Sequence, residues 1–78
     1  HEVVEDENWN FENTISKKQI LESIDKLPLK YQIVIKLYLL EGYDHEEISE
    51  IVHIPKETSR TRLRRAKLLL RKNLKNRN

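Results

Sequence analysis

Apolar residues recur along this chain at helical spacing. Ile20, Leu21, Ile24 and Leu27 form one stripe and predict a first helix over roughly 16–26. Ser16, with Gln19 three residues on, has the pattern of a capping box, in which each side chain satisfies the other residue's backbone N–H. Pro28 stops this helix, because the residue before a proline avoids the α region. A second helix is predicted over 29–41, with Pro28 where proline is tolerated at a start and Gly42 where a left-handed residue closes an end. Ile33, Val34, Ile35, Leu37, Tyr38, Leu39 and Leu40 make it apolar almost all round. A helix greasy on every face is buried on every face. It is either a central core helix or one that also docks a partner, with Val34, Tyr38 and Leu39 as candidate contacts. Asp44 and Glu47 form a second capping box ahead of a short third helix over 45–52, which buries Ile48, Ile51 and Val52. A fourth helix starts near Pro55 and runs to about Asn73, roughly 28 Å. Leu63, Ala66, Leu70 and Leu74 form its core stripe, with Ser59 and Lys67 at the margins. Only His53 and Ile54 separate the third and fourth helices. The pattern predicts an all-α fold, a small four-helix bundle ending in a helix-turn-helix.

Length narrows the function. A chain of 78 residues makes one domain at most, and at this size folding buries only about 60% of the chain's surface. A catalytic cleft needs more material than that. With one glycine no phosphate-cradling Gly-rich loop can form. His1, His45 and His53 share no metal-ligand spacing and there is no cysteine to join them. We therefore expect no enzyme, no catalytic residue, no metal and no cofactor. The lack of cysteine also excludes a disulfide scaffold and favours the cytoplasm. No run of 18 apolar residues is present to span a membrane. The chain lacks methionine, so we expect His1 to be a cut or processed end within a longer protein. Residues 1–15 are acidic and without period and read as a linker or disordered arm, with Trp9 and Phe11 expected to pin it. Residues 16–78 form the domain.

The charge is uneven. Residues 55–78 hold ten basic groups against one acidic group, Glu57, a net of +9 within a chain of net +2. Such a block is an electrostatic footprint for a polyanion, or more plainly a solvated Lys/Arg face. With Leu63 at the centre of the buried side, Glu57, Thr61 and Arg64 point outward with Arg60 on their rim, and Thr58, Arg62 and Arg65 form a second shoulder. In a helix-turn-helix these outward side chains enter the major groove. Arginine suits guanine edges or phosphates through its planar fork, and phosphate is the commoner target. Glu57 suits a cytosine amino group or caps the first turn.

These residues resemble a known family in their order and spacing. Leu27-Pro28, Tyr31-Gln32, Leu37–Gly42, Glu46-Glu47-Ile48, Ile54-Pro55, Thr58, Arg62-Leu63 and Arg65-Ala66-Lys67 are similar to region 4 of bacterial sigma factors, most of all the extracytoplasmic-function (ECF) group. The resemblance covers about 16–74. It implies a helical bundle whose helix-turn-helix recognises the upstream (−35) promoter element and which docks on the β flap of RNA polymerase. Lys56 to Arg65 would then carry the DNA contacts, with Thr58, Arg62 and Arg65 at positions the family usually keeps. The apolar surplus of the second helix would face the flap, or an anti-sigma factor competing for that surface. Two positions depart from the pattern. His53 stands where the turn commonly has glycine, which implies either a slightly different turn or a histidine tolerating a left-handed conformation. Ser59 stands where an apolar residue is common, which implies weaker packing of the fourth helix or a hydroxyl free for water or phosphate.

Two other readings are consistent with the same features. One is the helix-turn-helix of another regulator class, such as a response regulator. The other is an interaction module whose basic helix binds an acidic partner or a membrane surface.

Overall fold

The computed structural model describes residues 16–75. Four α-helices follow one another: α1 (Lys17–Ile24), α2 (Leu29–Ile35), α3 (His45–Val52) and α4 (Lys56–Lys75). Among the described residues there is no strand. The arm over 1–15, with Trp9 and Phe11, lies outside the described residues, as does Arg77.

α4 is the 20-residue spine against which α1, α2 and α3 all pack. Its buried line is Ser59, Leu63, Ala66, Lys67, Leu70 and Leu74. Against it lie Ile24, Leu27, Val34, Ile35 and Ile48, which complete the core. Because α1, α2 and α3 each pack on it, the bundle closes around α4.

Both capping boxes form. The Gln19 amide donates to Ser16 Oγ and Ser16 N to Gln19 Oε1. The Glu47 amide donates to Asp44 Oδ1 at 2.8 Å and Asp44 N to Glu47 Oε1 at 2.9 Å. The second box fixes where the helix-turn-helix begins. Asp44→Ala removes its acceptor and should cost about 1 kcal/mol, a fall of about 4–8 °C in melting temperature for a domain this size. Thermal denaturation followed by circular dichroism measures it.

α1 ends sooner than the predicted residue 26. Lys26 and Leu27 donate to Ser23 and Ile24, three residues back, so the chain tightens as it approaches Pro28. Gln32 holds the corner, its Nε2 donating to the Asp25 and Leu27 carbonyls at 3.1 and 2.8 Å. These are carbonyls that the end of α1 leaves without helical partners.

The second predicted helix is not α-helical throughout. After Ile35 it widens into a π-turn over Lys36–Leu40. The Glu41 amide reaches the Lys36 carbonyl at 3.2 Å and the Tyr43 amide reaches Leu37 at 3.0 Å. Gly42 makes the exit at φ +82, which a side chain would strain. The broad turn fully buries none of its residues, and Leu37, Tyr38 and Leu39 each pack half-buried against the core edge.

The prediction that Val34 contacts a partner is corrected here. Val34 is 0% exposed and sits within the core. Leu29, Ile33 and Leu40 instead carry this helix's exposed apolar surface. Ile51 is corrected too: it is exposed rather than buried, leaving Ile48 as the fully buried anchor of α3 and Val52 packed at the margin.

Candidate nucleic-acid interface

The helix-turn-helix consists of α3, the turn 53–55 and α4. His53 adopts the left-handed conformation, φ 63 and ψ 50, the second of the two outcomes that its departure from glycine allowed. This geometry is uncommon for a residue with a Cβ, although histidine is enriched in it. Ser49 clamps the turn. Its carbonyl accepts from the His53 and Ile54 amides, and its hydroxyl donates to the Ile54 carbonyl. The angle between α3 and α4 is thus held by backbone bonds as well as by packing.

The tertiary fold brings the N-terminal turns of α4 beside the start of α2. Between them lies an open groove of about 330 Å³ lined by Lys30, Tyr31, Glu57, Thr58, Thr61, Arg62 and Arg65. Glu57, Thr61 and Arg65, four residues apart, stand in line on the helix, while Thr58 and Arg62 flank them toward α2. The groove thus takes Glu57 and Thr61 from the predicted outward ridge and all of the second shoulder, Thr58, Arg62 and Arg65, whereas Arg60 and Arg64 do not line it. Lys30, Arg62 and Arg65 give it three cations against Glu57. Its hydroxyl donors, Thr58 and Thr61, are half-buried. Lys30 Nζ lies 5.2 Å from the Tyr31 ring centroid, close enough for a cation–π contact.

Arg64 is exposed on the other side of the outward ridge, with Lys67, Leu68 and Arg71 around a hollow of about 180 Å³. Arg60 is half-buried beside Ser59. Lys56 reaches Glu46 of α3 at 4.0 Å, an exposed pair of little energetic weight that a phosphate can displace. Ser59 is not available to water or phosphate, contrary to one expectation: it is fully buried and faces His45.

Lys30 and Tyr31 were not read as site residues from sequence. Both belong to the second helix, whose apolar run drew attention to the core. Only the packing of α2 on α4 places them beside Arg62. A lysine at the start of a helix otherwise rich in apolar residues was the available signal. Among the described residues no helix is long and apolar enough to cross a membrane.

Comparison with known proteins agrees with this geometry. The family model for sigma-70, region 4, matches residues 17–70. The ECF RNA polymerase sigma factor SigW of Bacillus subtilis (strain 168) is 43% identical over 63 residues, 81% of this chain and 31% of that protein. The chain thus spans about a third of the length of that relative. No solved structure matches significantly. A helix-turn-helix built on a +9 terminal segment, matched from the first helix well into the last, places this chain in the sigma-70 region 4 family, the −35-recognising DNA-binding domain of sigma factors.

Proposed function

We propose that this chain is the promoter-reading domain of an ECF-type sigma factor, acting in the cytoplasm without catalysis of its own. The observation that carries the reading is the groove beside α4, where Lys30, Arg62 and Arg65 converge on hydroxyls and on the outward line Glu57–Thr61–Arg65. Cations set around a groove between helices attract a phosphate backbone and position the protein on it. Thr58, Thr61 and Glu57 then face base edges in the major groove, with Lys56, Arg60 and Arg64 flanking them along α4.

The second contact of the reading is the β flap of RNA polymerase. Leu29 (68% exposed), Ile33 and Leu40 supply apolar surface on α2 and its π-turn, away from the core residues Val34 and Ile35. Tyr38 and Leu39 are half-buried at the edge of that surface. An anti-sigma factor would compete for the same residues.

Titration calorimetry of the 78-residue chain against the isolated β flap tests this reading. Saturable one-to-one binding is expected, weakened at least tenfold in Ile33→Glu, because an unpaired carboxylate placed in an apolar contact costs well over ~1.4 kcal/mol. No binding by a well-folded sample would turn the reading toward a stand-alone helix-turn-helix regulator.

A further inference from the structure

Ser59 lies in the first turn of α4, between Thr58 and Arg60, yet it points into the core. Its Oγ is 2.9 Å from His45 Nδ1, and both residues are buried, Ser59 completely. The His45 ring stacks on Tyr38 with centroids 5.1 Å apart and planes inclined by 23°. Lys67 Nζ lies 5.7 Å from the centroid of the same Tyr38 ring. Three segments therefore meet here: the π-turn through Tyr38, the first residue of α3 through His45, and α4 through Ser59 and Lys67.

An apolar residue at position 59 would fill the space without needing a partner. A buried hydroxyl costs free energy unless it is bonded. His45 removes that cost, and it adds something apolar packing lacks. A hydrogen bond has a preferred distance and angle, whereas hydrophobic contact is non-directional. The bond runs from α3 to the turn of α4 whose neighbouring side chains, Thr58, Thr61 and Arg62, line the groove.

We infer that His45 is a positioning residue for promoter recognition, its bond to Ser59 setting the rotation of α4 about its own axis. The inference rests on the DNA-binding reading and deepens it. At a helix radius of about 5–6 Å, a 10° roll of α4 moves its side chains by about 1 Å. Base-edge contacts tolerate only about 0.5 Å of displacement. Phosphate contacts from long flexible side chains absorb such a shift. Loss of the bond should therefore reduce discrimination between sequences and leave general affinity for DNA in place.

The test uses the 78-residue chain and two duplexes, one selected by the parent chain from random sequence and one of the same composition scrambled. Ser59→Ala should bind the scrambled duplex within about twofold of the parent and the selected duplex about tenfold more weakly, the equivalent of one base contact. His45→Leu should behave alike. His45→Asn, whose side-chain amide can occupy the Nδ1 position, should restore the parent preference. Ser59→Ala removes only a hydroxyl, so it decides the matter should a His45 variant fail to fold. An unchanged preference in Ser59→Ala overturns the inference, as does an equal loss on both duplexes, which would mark a purely structural bond. A parent chain that selects no sequence overturns the DNA-binding reading itself, and the inference with it.

Discussion

A chain carrying Arg62→Ala and Arg65→Ala should bind every duplex more weakly while melting at the parent temperature. Arg65 is exposed, Arg62 is half-buried, and neither belongs to the core cluster, so removing them leaves the fold intact. Both line the groove beside Lys30 and Tyr31, where a phosphate is the expected partner. Each lost phosphate contact should reduce the slope of log affinity against log salt by about 0.9. The double variant should therefore lose roughly two units of slope and about tenfold or more in affinity per arginine at low salt, since hydrogen bonds to charged groups contribute about 1.5–3 kcal/mol each. Lys30→Ala should lower the slope by about one further unit if α2 also touches the backbone. Fluorescence anisotropy across a salt series reads all of these. An unchanged slope would remove the arginines from the phosphate contact. A loss confined to one base position would assign them to base edges instead.

Val34→Glu should unfold the domain, whereas Ile33→Glu, one residue earlier, should not. Val34 is 0% exposed in the apolar core with Ile24, Ile35, Ile48 and the α4 leucines, where a carboxylate would lose its water. Leaving a charge buried without a partner costs about 3–5 kcal/mol. A domain of this size has about 3–9 kcal/mol of stability in total. Even the smaller cost removes a large share of that. Ile33 is 37% exposed, so a glutamate there can turn into water. Circular dichroism at 222 nm should show lost helicity for the first variant and a parent-like melt for the second. A parent-like melt for Val34→Glu would return Val34 to the surface. The contrast also secures the calorimetric test above, because only a folded variant reports on docking.

The existence of the four helices, the capping boxes at Ser16 and Asp44, the span of α3 and the buried stripe of α4 were all legible in the sequence, because each depends on residues at most four positions apart. The left-handed His53 was legible only through the family resemblance, as one of two outcomes of a histidine standing where glycine is common. The π-turn was not: Lys36–Leu40 is as good an α-helix by propensity, and its wider winding is a tertiary outcome.

Of the residues that line the groove, Glu57 and Thr61 were legible as outward positions, and Thr58, Arg62 and Arg65 as a second shoulder, on one basic helix. The sequence by itself determined four amphipathic or apolar helices, a concentration of positive charge in the last of them, and hence a small all-α binding domain with a cationic helix to present. Periodicity and charge are local properties, and local physics suffices for them. Only the tertiary structure decided which apolar residues of α2 face inward, that Lys30 and Tyr31 join the α4 groove, and that Ser59 turns to His45 rather than to solvent. Each of those outcomes depends on the angle and rotation at which helices distant in the chain meet, and these are set by how the core packs around α4 as a whole.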